Sequence, residues 1–148
     1  MTSQHLTLRA ATLQDIEAIW KIYQATIPEA STRNDVYWEK LIRQGGLFIA
    51  ELKETAIGFG GIDINALEQI RHLYVIREYQ GSDLRLGSRI LEALEAVARQ
   101  EGISLIRLHS SPDAVRFYEK AGYSAVLAEH AIGHDHPGIE MAKDLAGC

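Results

Sequence analysis

The sequence predicts an α/β (α+β) chain with a mixed, mostly antiparallel central sheet of about seven strands and helices on both faces. Three observations predict it. Strand-like and helix-like hydrophobic patterns alternate along the chain, two apolar strands meet at a short polar turn, and a long amphipathic helix stands between two strand patterns. Gly, Pro and polar breaks separate these segments without a linker, repeat or low-complexity tract. A single domain over residues 1–148 is expected.

Leu6, Leu8 and Ala10 alternate as a first strand, and Ile16, Ile19, Trp20 and Tyr23 then recur at helical spacing after a start at Thr12 to Asp15. A second helix over Asn34 to Arg43 carries Tyr37, Trp38, Leu41 and Ile42 before Gly45-Gly46 breaks the chain. Leu47 to Leu52 and Ala56 to Ile64 read as strands joined through the turn Leu52-Lys53-Glu54-Thr55, an antiparallel hairpin. After the hairpin a further strand runs from about Gln69 to Ile76. Leu86, Ile90, Leu91, Leu94, Val97 and Ala98 mark one face of a long helix ending near Gly102, and Ile103 to Leu108 returns as a strand. Such a strand-helix-strand crossover makes its strands parallel, and the turn entering its helix is a natural anion site because the first backbone N–H groups are unpaired. Ser111 suits an N-cap, Pro112 the first helical position and Gly122 a left-handed helix end, so Ser111 to Ala121 forms a short helix. Ser124 to His130 and Ile139 to Asp144 close the sheet around a His-rich loop.

Hydrophobic residues make up 47% of the chain and charged residues 24%, an ordinary globular balance. No apolar run approaches the ~18 residues that span a bilayer, and the N-terminus MTSQHLTLRAAT lacks a basic-then-apolar leader pattern. A cytoplasmic protein without membrane contact is expected. A formal charge of −5 argues against a nucleic-acid surface and is compatible with a cationic substrate. The lone cysteine, Cys148, is the last residue and is expected to be an exposed thiol. His130, His134, Asp135 and His136 carry zinc-ligand chemistry but lack paired cysteines, and the composition of a solvated turn describes them better; no metal is expected.

Two stretches carry the chemistry. Ser111 to Tyr123, SPDAVRFYEKAGY, sets a helix-buried Phe117 beside the phenol of Tyr118, just before Gly122. It resembles the C-terminal motif of the GNAT superfamily of N-acetyltransferases, N-x-x-A-x-x-F-Y-x-x-x-G-F/Y, with Ser111 in place of Asn. The segment from Leu73, LYVIREYQGSDLRLGSRILEAL, is similar to the acyl-CoA-binding segment of that superfamily, in which a strand enters a Q/R-x-x-G-x-G/A loop and a helix. Tyr79, Gln80 and Gly81 match the front of the loop and Gly87, Ser88 and Arg89 its back; two extra residues lie between, and Arg85 sits where a Gly is usual. The loop must aim backbone N–H groups at a pyrophosphate with a helix dipole behind them. Arg85 adds a cation for that task, whereas Asp83 as helix N-cap would compete for the same donors. The segments L-T-L-R-x-A-T-x-x-D-I-x-A-I and I-E-M-A-K-D-L also look like the first and last strands of the family.

The resemblance implies an edge splayed between the fourth and fifth strands, where an acyl-CoA lies. It implies that backbone groups of Leu73, Tyr74 and Val75 hold the pantetheine arm, and that Gln80, Gly81, Ser82, Asp83, Leu84, Arg85, Leu86, Gly87 and Ser88 hold the pyrophosphate beside Phe117 and Tyr118. Tyr118 takes the place of the general acid that protonates the leaving thiolate. Glu68 is the first candidate for general base, with Asp63 and His72 as competitors. Trp20, Tyr23, Tyr37 and Trp38 border the acceptor pocket in relatives, although core packing explains them equally well. The implied activity is acetyl-CoA-dependent N-acetylation of a primary amine on a small molecule or peptide, with acetyl-CoA as co-substrate and direct attack in a ternary complex. No covalent nucleophile is available for a two-stage route. A homodimer is compatible with this reading. The alternative is a catalytically weak acyl-CoA sensor or interaction domain, suggested by the lengthened, Gly-poor loop.

Overall fold

The computed structural model describes residues 6–26, 35–63, 69–80, 85–126 and 139–145. The strands are β1 (Leu6–Ala10), β2 (Leu47–Leu52), β3 (Thr55–Asp63), β4 (Gln69–Val75), β5 (Leu105–Ser110), β6 (Ser124–Ala125) and β7 (Ile139–Asp144). The helices are α1 (Ile16–Thr26), α2 (Asp35–Arg43), α3 (Leu86–Gln100) and α4 (Val115–Lys120). Among the described residues the strands form one seven-stranded sheet in the order β1-β2-β3-β4-β5-β7-β6. Every neighbouring pair is antiparallel except β4 and β5, which the α3 crossover makes parallel.

Strand alternation sorts the side chains into two cores. Gly58, Gly60 and Ile62 turn toward α3, where Ile90, Leu94 and Ala98 are fully buried with Ile106, Leu108 and Met141. A Cβ on Gly60 would overlap Ile90 Cγ2, so the missing side chain sets how closely α3 approaches the sheet. Phe59 points the other way, into Ile19, Ile22, Trp38, Leu41, Leu47 and Ile49 beneath α1 and α2. The predicted helices on both faces are thus present, α3 and α4 on one and α1 and α2 on the other.

Arg9 ties the first strand to its neighbours: its guanidinium bonds both carboxylate oxygens of Asp15 at 2.8 and 2.9 Å and those of Glu51 at 3.1 and 3.2 Å. The Thr12 N–H also donates to Asp15. The Arg9 bond comes first among the causes that hold the Asp15 carboxyl below its ordinary range. Glu95, polar on the buried side of α3, is satisfied by the Tyr123 hydroxyl at 2.8 Å and Lys143 Nζ at 3.1 Å.

The boundaries differ from expectation in instructive places. The β5 strand starts at Leu105 rather than Ile103, because the Ile103 N–H closes the end of α3 on the Ala98 carbonyl. The Ser111 to Ala121 segment is a 3-10 turn, Pro112–Ala114, followed by α4, and Ser111 makes no side-chain cap bond. Gly122 does end it at φ 101°. The β4 strand stops at Val75 rather than Ile76. Asn34, Ile64 and residues 127–130, assigned to regular elements from the sequence, lie outside the described residues.

Candidate functional site

Among the described residues the β4 and β5 strands share a single register pair, Gln69↔Arg107. Beyond it β4 stays paired with β3 as far as Val75, and β5 with β7 as far as Ser110. The two strands therefore part like the arms of a fork, leaving β4 from Ile70 onward without a β5 partner. The apex is polar: Gln69 Nε2 lies 2.9 Å from His109 Nδ1, His109 Nε2 is 3.9 Å from Glu140 Oε1, and Glu140 Oε2 is 3.7 Å from Arg107.

The fork opens into a cleft of about 680 Å³. Leu73, Val75, Gln80, Arg85, Leu86, Gly87, Ser88, Phe117 and Tyr118, all named from the sequence, line it. Tyr79, Ser111, Asp113 and Ala114 line it as well, and the motif positions of Ser111 and Ala114 were the signal that could have added them. Tyr74 is named but its side chain turns to the opposite face, as alternation between Leu73 and Val75 requires. Glu68, Gly81, Ser82, Asp83 and Leu84 lie outside the described residues.

Helix α3 points its first turn into the cleft, and among the described residues no side chain caps it. Its N-cap, Arg85, makes no side-chain cap bond. The N–H groups of Leu86, Gly87 and Ser88 thus head a 15-residue helix whose dipole favours an anion. Arg85 adopts φ 53° and ψ 44°, the left-handed conformation for which Gly is usual, so a non-Gly residue takes the conformation that a Gly would take there. Its side chain also borders a second cleft, of about 460 Å³, with Lys120 and Lys143. Gly87 lets Phe117 lie on the first turn of α3, since a Cβ there would stand 3.1 Å from Phe117 Cζ. Phe117 is consequently half-buried against the cleft rather than fully buried as expected, and Tyr118 is the buried member of the pair, at 8% exposure.

Tyr118 packs edge-on against Phe117 and Tyr123. Burial pushes its phenol up to about 12, so it is protonated at neutral pH. On the other face of β4, Tyr37 Oη stands 2.6 Å from His72 Nε2. The rings of Tyr23, Trp38, Phe59 and Tyr74 surround the same imidazole, with centroids 4.9 to 6.1 Å away. Burial, before any neighbouring phenol, raises the Tyr74 phenol above its ordinary range. Asp63 is buried, with Lys40 Nζ at 3.9 Å.

Among the described residues no group of three or more His, Cys, Asp or Glu side chains could hold a metal ion; His130, His134, Asp135 and His136 lie outside them. No helix among the described residues is long and apolar enough to cross a membrane.

The sheet, forked where β4 parts from β5, thus opens into one cleft lined by the first turn of α3 and by Tyr118. The family follows from the sequence itself: residues 14–145 match the model of the acetyltransferase (GNAT) domain, and the chain belongs to the GNAT acetyltransferase family. A curated relative in Bacillus subtilis (strain 168), provisionally named an acetyltransferase, is 33% identical over 75 residues. That match takes in 51% of this chain and spans about half, 49%, of the relative. The fold is also that of the PaiA N-acetyltransferase of Thermoplasma acidophilum, solved with coenzyme A, at TM-score 0.74 and 18% identity over 97% of this chain and 99% of that one. The N-acetylglutamate synthase of Neisseria gonorrhoeae, solved with coenzyme A and N-acetyl-glutamate, has TM-score 0.75 at 16% identity over 97% of this chain and 36% of that one.

Proposed function

We propose that this protein is an acetyl-CoA-dependent N-acetyltransferase that acts on a primary amine of a small molecule or peptide by direct attack. One observation carries the reading: a single cleft connects the first turn of α3, the forked edge of β4 and the buried Tyr118. The first-turn N–H groups of α3 bind the pyrophosphate, and Arg85 adds a charge-assisted contact. Leu73 and Val75 flank the pantetheine arm, and the edge of β4 in the fork polarises the thioester carbonyl. As the amine nitrogen bonds to the carbonyl carbon and the C–S bond breaks, Tyr118 donates its proton to the sulfur and regains one from the nitrogen. Among the described residues the lining holds no cysteine, in keeping with transfer in a ternary complex.

Calorimetric titration with acetyl-CoA and with CoA at fixed salt, followed by amine-dependent CoA release, tests this. Micromolar binding and release are expected. No binding at millimolar ligand would sink the enzyme reading and leave a sensor or interaction domain with an impaired loop.

A further inference from the structure

We propose that Tyr37 and His72 form the proton-accepting pair of this site, Tyr37 touching the incoming amine and His72 receiving the proton behind it. The inference rests on the acetyltransferase reading and supplies the base that reading leaves open.

Four observations support it. Tyr37 on α2 and His72 on β4 are 35 residues apart, yet their polar atoms meet at 2.6 Å, near the short limit for a hydrogen bond. His72 directly precedes Leu73, whose side chain lines the cleft, and by alternation its imidazole emerges on the opposite side of the same strand. Tyr37 is only half-buried whereas His72 is 9% exposed, so the phenol is the outer member of the pair and the imidazole the inner one. Finally, Tyr23, Trp38, Phe59 and Tyr74 enclose the imidazole, as Tyr37 does at a centroid distance of 5.5 Å. This enclosure holds the imidazole in place beside Tyr37 Oη.

The proton balance is simple. The ammonium loses one N–H bond as its proton passes to Tyr37 Oη. The original Tyr37 hydroxyl proton passes to His72 Nε2, leaving a neutral amine, a neutral phenol and an imidazolium. After transfer the reverse shift through Tyr37 returns that proton to solvent. The second proton of the nitrogen goes to Tyr118, which has protonated the sulfur. Among the described residues the titratable groups on this face include the phenols of Tyr23 on α1, Tyr37 on α2 and Tyr74 on β4, with the Asp63 and Lys40 pair beyond them on β3 and α2. Asp63 is a weaker candidate, because its carboxylate already pairs with Lys40 Nζ at 3.9 Å.

Acetyl transfer to phenethylamine, 1,4-diaminobutane and an alanyl dipeptide amide, measured against pH with acetyl-CoA affinity determined alongside, tests the pair. In the wild type kcat/KM should fall on the acid side as His72 becomes protonated in the free enzyme. His72→Gln should lose roughly 10²-fold in rate and the acid limb with it, while acetyl-CoA affinity stays within about twofold. Because a buried histidine variant can fail to fold, Tyr37→Phe is the second arm: it should slow transfer about tenfold and move the His72 titration, followed by carbon-13 NMR of the imidazole, by about half a pH unit or more. An unmoved titration, or an acid limb kept in His72→Gln and lost in Glu68→Gln, would overturn the pair and leave the enzyme reading intact. A wild type that neither binds acetyl-CoA nor acetylates any of the three amines would remove both.

Discussion

Gln69 and His109 hydrogen-bond at 2.9 Å beside Gln69↔Arg107, the register pair that joins β4 to β5 among the described residues. Everything beyond that bond is fork. The pair acts as a rivet: with Gln69 4% exposed and Glu140 5% exposed behind His109, the apex is polar where an apolar contact would pack more simply. Gln69→Leu should cost about 1–3 kcal/mol in urea unfolding, since it removes one partner from a buried polar set. It should also weaken acetyl-CoA binding by letting the arms of the fork shift. A variant as stable as the wild type would show that the apex is held by the β3 and β7 ladders alone.

Tyr118→Phe is expected to lower kcat by about 10²-fold with little change in acetyl-CoA affinity, because the hydroxyl is needed when thiolate charge develops. The phenol works in its protonated form, and burial pushes it up to about 12. Tyr118 should therefore produce no fall in rate on the alkaline side below about pH 11. A limb near pH 9 that vanishes in Tyr118→Phe would contradict this environment.

Arg85 joins strain with charge. Its left-handed backbone costs about 1–2 kcal/mol, which Gly would relieve, but Gly would also gain entropy in the unfolded chain. Arg85→Gly should thus change stability by less than about 1 kcal/mol. Acetyl-CoA affinity should still fall by about five- to tenfold at low salt and by less at high salt, the signature of a lost cation. Equal or tighter binding would assign the residue a purely conformational role.

Asp15 predicts an acid-side effect. Its folded pKa is depressed, first by the Arg9 bond, so its stabilisation is present above the unfolded value of about 3.9 and is lost as pH falls through the folded value. Asp15→Asn should remove about 1–2 kcal/mol at pH 7, a modest figure because the Arg9 side chain is 36% exposed. It should also flatten the decline in stability below about pH 4. Parallel stability curves for the two proteins over that range would refute the linkage.

The order of strands and helices, the hairpin, the parallel crossover and the two motif stretches were legible in the residues because each depends on local periodicity or on a short spacing. The apolar face of α3 from Leu86 to Ala98 and the helix end at Gly122 needed only the helical repeat and a left-handed Gly. Glycine and asparagine signals could not reveal the positive φ of Lys53 and Glu54 in the β2–β3 turn, or that of Arg85, because pairing and helix entry impose those conformations on ordinary residues. The sequence by itself determined the fold class and the family. Only the tertiary structure decided where β4 leaves β5, which face Tyr74 takes, and that His72 meets Tyr37. Those outcomes depend on register, on the bulge between Gly61 and Ile62, and on contacts between residues dozens of positions apart. Such contacts gain their free energy only once the whole sheet is assembled, so they leave no local periodicity in the chain.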